Sequence, residues 1–168
     1  QFISIQSLLK IKKQVRYMSE QQASEQVFQM QRVYLKDASL ELPNAPQVFL
    51  DRNQPKIEVQ VDVGGQRLNE TVFESEVTVT VTARLEETVA FLVEVKQAGI
   101  FEIAGMPEDQ LEPIVGILCP NMIYPYLRAN VADLITRTGF PPVHLSDINF
   151  EQFYQQRLAA AQEAAASA

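Results

Sequence analysis

The sequence predicts an α+β fold: a four-stranded antiparallel sheet with a crossover loop, followed by a long helix and a C-terminal helix. Three observations carry that expectation. Residues 57–63 and 77–82 alternate apolar and polar side chains with a period of two, as half-buried strands do. The strand-like segments are joined by short turns except for one long connection at 43–55. Downstream, Ile123, Leu127, Val131 and Leu134 recur at helical spacing.

Taken in order, VFQMQRVYLKDASLEL (27–42) is long, rich in strand formers and free of Gly and Pro, which makes it the first strand. PNAPQVFLDRNQP (43–55) has the Pro and Asn of a loop but an apolar centre, Val48-Phe49-Leu50. In the second strand Ile57, Val59, Val61 and Val63 face one way and Glu58, Gln60 and Asp62 the other, and Gly64-Gly65 reads as a turn. The third strand, within 71–85, sets Val77, Val79 and Val81 against Thr78, Thr80 and Thr82, and Glu86-Glu87 closes it. TVAFLVEVKQAGIFEIAG, from Thr88, is the fourth strand and ends near Gly105. A sheet with one polar face needs its other face covered. A short helical lead-in over 108–118, interrupted by Pro113, and a long helix opening at Cys119-Pro120 provide the cover, with Gly139 as the left-handed stop before Pro141-Pro142. FPPVHLSDIN (140–149) is a second apolar loop. Asp147 or Asn149 caps a last helix on which Phe150, Phe153, Tyr154, Arg157 and Leu158 recur.

The domain organisation follows: a segment 1–17, a flexible N-terminus 18–26, one domain over 27–158, and a flexible Ala-rich tail 159–168. The first 17 residues hold four of the 14 basic residues and no acid, which leaves ten basic residues against 21 acidic ones in the remainder, a net of −11. Three readings of this segment compete. A secretory signal places its charges before its apolar stretch, the reverse of what stands here. A basic amphipathic segment touching membranes or partners is the second. A non-native or upstream-translated extension ahead of Met18 is the third, and it is the preferred one.

An acidic body of this kind repels nucleic acid and favours a basic partner. No apolar run reaches the roughly 20 residues of a membrane-spanning helix. One cysteine and one histidine make metal centres and disulfides improbable and fit a reducing cytosol. No phosphate-binding glycine loop is present, so no cofactor is expected. The remaining catalytic arrangement is Cys119 with His144 and Asp147. A helix of roughly 18 residues between them separates Cys119 from His144 by about 27 Å. Cys119 is read as a buried apolar residue, and the chain as no enzyme.

What needs explaining is apolar residues in loops: Val48, Phe49 and Leu50, then Phe140, Val143, Leu145 and Ile148. Either both loops fold over the core and bury them, or they line an apolar groove for an extended peptide or unfolded chain. An exposed edge strand beside the groove adds backbone hydrogen bonds without demanding a sequence.

The segments LPNAPQVF (42–49), VTVTA (79–83), AFLVEV (90–95), QAGIFEIAG (97–105), CPNMIYPYLR (119–128) and GFPPVHLSDINF (139–150) resemble, in order, the SecB protein-export chaperones of proteobacteria. The resemblance covers about Phe28 to Tyr154. It implies an ATP-independent cytoplasmic chaperone that holds precursors of exported proteins unfolded and delivers them to the SecA motor. It also implies a homotetramer, built as a dimer of dimers, without membrane insertion. A related possibility is a SecB-like chaperone dedicated to one partner, such as a toxin–antitoxin component.

Carried over position by position, the client groove lies between 43–55 and 139–149, with Val48, Phe49, Leu50, Phe140, Val143, Leu145, Ile148 and Phe150. The SecA-docking patch falls on Asp37, Glu41, Leu92 and Glu94. Packing between protomers falls on Met122, Ile123, Tyr126 and Leu127. Val93 stands where some members have a cysteine. A second SecA contact through the divergent C-terminal region is expected without assignable residues.

Overall fold

Strand-forming residues in long alternating runs produce four paired strands in the computed structural model, which describes residues 26–166. The expected segment 1–17, residues 18–25 and the last two residues lie outside the described residues. The strands are β1 (Val27–Glu41), β2 (Lys56–Arg67), β3 (Val72–Leu85) and β4 (Thr88–Ala104). Their spatial order is β1-β4-β3-β2, all antiparallel, so β1 and β2 are the two edges. The connection after β1 must therefore cross the whole sheet, three strand spacings or about 14 Å.

Alternation decides the faces. Val77, Val79, Val81, Val93, Val95 and Phe101 are fully buried on one side. Thr78, Thr80, Thr82, Leu92 and Glu94 occupy the other. The buried side is covered by a helical passage: α1 (Glu108–Pro113), a π turn (Ile114–Leu118) and α2 (Cys119–Thr136). The covering stripe is Ile123, Leu127, Val131 and Ile135, each buried; Leu134, expected on it, is half-buried. The π turn lets the Cys119 N–H donate to the Ile114 carbonyl, one residue further back than in an α-helix. That widening comes immediately before Pro120, whose ring would crowd the carbonyl four residues earlier. Gln97, buried on the helix-covered face, is satisfied by Asn130 of α2, whose Nδ2 donates to its Oε1 at 2.7 Å. At Gly139, φ is +85°, the left-handed stop the sequence requires.

One expectation is corrected. Gly64-Gly65 is no turn: both residues pair within β2, opposite Glu76 and Ser75. Their smallness serves packing, since a Cβ on Gly65 would lie 2.8 Å from Cγ1 of Val115 in the π turn. The turn falls later, where Oδ1 of Asn69 accepts the N–H groups of Thr71 and Val72 at 3.0 and 2.9 Å. The last helix, α3 (Phe150–Ala166), continues through the alanines beyond 158. Alanine has the highest helix propensity, so composition alone favours that extension. Asn149 caps α3, accepting from Gln152 N–H at 3.0 Å, while Asp147 pairs with Arg128 at 2.5 Å.

Candidate functional site

The crossover loop presents its apolar centre by a short set of local bonds. Phe49 N–H donates to Pro46 O at 3.1 Å within a 3-10 turn at Gln47–Leu50, and Val48 N–H donates to Asn44 O at 3.0 Å ahead of it. The Asn44 side chain ties the loop to the sheet by donating to Val89 O at 2.9 Å. These constraints turn Val48 into the core and leave Phe49 and Leu50 outward, 49% and 83% exposed.

The second apolar loop meets the first. Phe140 follows the left-handed Gly139 and stacks on Phe49, centroids 5.4 Å apart. Below, Phe140 leans on Phe91 of β4 at 5.6 Å, so three aromatic rings run from solvent into the core. Of the other residues expected along the groove, Leu145 and Phe150 are buried, and Val143 and Ile148 are half-buried. Phe150 packs edge-on against Tyr124, centroids 5.5 Å apart. Val48, Leu145 and Phe150 therefore belong to the core cluster, and the accessible apolar surface is Phe49 and Leu50 with parts of Phe140, Val143 and Ile148.

The structure adds a feature that alternation did not reveal. Ile57 and Val59 lie on the helix-covered face of edge strand β2 yet are 37% and 45% exposed, because α2 packs over β3 and β4 instead. Beyond them a cavity of about 600 Å³ opens between the Gly64–Arg67 end of β2, the π turn and α3, walled by Phe73, Leu111, Val115 and Phe153. Ile57 and Val59 thus form an uncovered apolar strip along β2.

On the opposite face, the positions expected to dock SecA come together. Glu41 pairs with Leu92 and Ser39 with Glu94, and Asp37 stands opposite Lys96. Asp37 and Glu41 are exposed, Leu92 and Glu94 half-buried. Lys96 does not neutralise Asp37, because the bases on this face are drawn elsewhere. Lys36 Nζ lies 2.8–3.0 Å from Glu74 and Glu76, and Lys96 Nζ is 3.9 Å from Glu76. Glu74 is buried on this outer face: burial pushes its carboxyl up, but hydrogen bonds from Tyr34, Gln66 and Lys36 outweigh that and hold it below the usual range. Nothing in the sequence signals this network, since its members are neighbours only through strand register. Among the described residues Asp37, Glu41 and Glu94 have no ion-pair partner.

Of the positions expected between protomers, Ile123 and Leu127 face the sheet and are fully buried, Met122 is half-buried and Tyr126 is 45% exposed. The outward side of α2 therefore offers Met122 and Tyr126. Cys119 is fully buried, and that burial pushes its thiol up to about 12. His144 is exposed and Asp147 is engaged by Arg128, so no nucleophilic triad is assembled. No helix among the described residues is long and apolar enough to cross a membrane.

Comparison with known proteins bears on the family and the fold. The family model described as "Preprotein translocase subunit SecB" matches residues 21–161. The Protein-export protein SecB of Janthinobacterium sp. (strain Marseille) is 69% identical over 134 residues, 80% of this chain and 82% of that one. That of Bordetella pertussis is 63% identical over 132 residues, 79% and 75% of the two chains. That of Burkholderia vietnamiensis is 57% identical over 141 residues, 84% and 89%. Among solved structures, a Mycobacterium tuberculosis SecB-like chaperone in complex with a peptide from the HigA1 antitoxin superposes with a TM-score of 0.59 at 16% identity, covering 72% of this chain and 90% of that one, which is a likeness of fold. By its sequence and its fold, the chain belongs to the SecB family of protein-export chaperones.

Proposed function

We propose that the chain holds precursors of exported proteins in an unfolded state without nucleotide and delivers them to SecA, working as a cytoplasmic homotetramer, a dimer of dimers. The observation that carries this reading is the division between the two faces of the sheet. Accessible aromatic and aliphatic residues of both loops, with the uncovered strip of β2, lie on one side. Unpaired acids lie on the other. A client can therefore be held while a basic partner docks.

Apolar segments of a client enter beside Phe49 and Phe140, and its backbone pairs with the edge of β2, an interaction that asks for no particular sequence. Each such contact is weak, and grooves on several protomers multiply the affinity through effective concentration. Met122 and Tyr126 on the outward side of α2 join protomers. SecA, presenting basic residues, docks on Asp37, Glu41, Leu92 and Glu94 and competes for or reorients the client, so release needs no hydrolysis by the chaperone.

The test is light scattering from an unfolding precursor with one tetramer per client and no ATP. Suppression is expected, and aggregation at the rate seen without the protein overturns the reading. Native mass spectrometry reports the tetramer. A second reading, a chaperone dedicated to one partner, draws on the fold shared with the antitoxin-bound mycobacterial protein. It predicts that unrelated unfolded precursors are not held.

A further inference from the structure

The docking positions lie on β1 and β4, but β4 has a second neighbour. On β3 the outer face is a column of threonines, with Thr78 opposite Lys96, Thr80 opposite Glu94 and Thr82 opposite Leu92. Thr80 is more than a neighbour: its hydroxyl donates to Oε2 of Glu94 at 2.9 Å. Glu94 has no cation of its own among the described residues, so this hydroxyl is the side-chain group that fixes its carboxylate.

A glutamate on an exposed strand face otherwise samples several rotamers, and a partner must freeze it on binding. A bond to one carboxylate oxygen orients the group while leaving the other oxygen's lone pairs for an incoming cation. Thr80 is itself held in place by its strand, paired to Gln60 on β2 and Glu94 on β4, and its β-branch restricts χ1.

We propose that Thr80 is a positioning residue of the docking surface, holding the Glu94 carboxylate in the orientation that a basic partner meets, and that this surface extends across β4 onto β3. The proposal rests on the docking reading given above. Ordering one long side chain in advance is worth about a three- to tenfold change in affinity.

The test measures binding of purified cognate SecA to Thr80→Val, Thr80→Ser, Glu94→Gln and the Thr80→Val/Glu94→Gln pair. Client holding and native mass serve as controls of the fold. The expected result is about fivefold weaker binding by Thr80→Val, recovery in Thr80→Ser, and no further loss when Thr80→Val is added to Glu94→Gln. Client holding stays unchanged throughout. If Glu94→Gln weakens SecA binding and Thr80→Val does not, docking stands and the positioning role falls. Equal loss from Thr80→Val in both backgrounds also overturns the proposal, because Thr80 then acts independently of Glu94. If Glu94→Gln itself leaves SecA binding intact, the docking assignment fails first.

Discussion

Replacing Phe49 by Ala and, separately, Phe150 by Ala separates groove from core, because the family resemblance offers both as groove residues and the structure places them oppositely. Phe150 is 1% exposed and packs edge-on against Tyr124. Truncating a fully buried phenylalanine costs about 3–5 kcal/mol. Phe49 is already half exposed, so its share of burial is about 1 kcal/mol, with about 0.5–1 kcal/mol more from stacking on Phe140. Urea unfolding at equal protomer concentration therefore shows Phe150→Ala losing about 1.5 to 3 times as much stability as Phe49→Ala. Client holding shows the reverse order. If a client occupies two grooves and loses about 1 kcal/mol in each, affinity falls about 25-fold, since 1.4 kcal/mol is tenfold and the two losses multiply. Aggregation suppression by folded Phe49→Ala should then need a large excess of chaperone. Equal destabilisation by the two variants, or undiminished holding by Phe49→Ala, refutes the assignment.

Three further outcomes follow from the same geometry. Glu94→Lys reverses a carboxylate that no described cation neutralises, and it should weaken SecA binding at least tenfold while leaving client holding within about twofold. Calorimetric titration and the scattering assay read the two. Gly99→Ala places a Cβ 2.8 Å from Cγ2 of Ile123 and from a ring carbon of Phe101, and overpacking at this crossing of β4 and α2 should cost about 1–3 kcal/mol in urea unfolding. The buried Cys119 stays protonated to about 12 in the fold but ionises near 9.0 when the chain unfolds. Its contribution to stability is therefore intact below pH 9 and declines from there toward 12, at up to about 1.4 kcal/mol per pH unit for one proton. Cys119→Ala should show a shallower alkaline decline, and identical profiles contradict this assignment of the thiol.

Local signals were readable where a residue's neighbours lie on its own strand or helix. Alternation at Ile57–Val63 and Val77–Thr82 gave strand and face together, and Gly139 ahead of two prolines gave the helix stop. Gly64-Gly65 reads as a turn in sequence because the neighbours that call for small residues are distant in the chain, Glu76 across the strand pair for Gly64 and Val115, some 50 positions away, for Gly65. The buried Glu74 had no signal for the same reason, since Tyr34, Lys36 and Gln66 reach it only through strand pairing. The composition of the two loops marked the apolar surface but did not divide it. In the crossover loop that division depends on which way one 3-10 turn points Val48 relative to Leu50. Likewise the exposure of Ile57 and Val59 follows from where α2 lies, which no property of β2 specifies.

The central claim is that clients and SecA use opposite faces of one sheet, and site-specific photo-crosslinking tests it most directly. A photoreactive residue at Leu50, 83% exposed beside the aromatic stack, and another at Thr82, on the outer face next to Leu92, are each irradiated with an unfolded precursor or with SecA. Capture of precursor from position 50 and of SecA from position 82 is the predicted result. Precursor captured equally from both positions, or SecA captured only from position 50, contradicts the account.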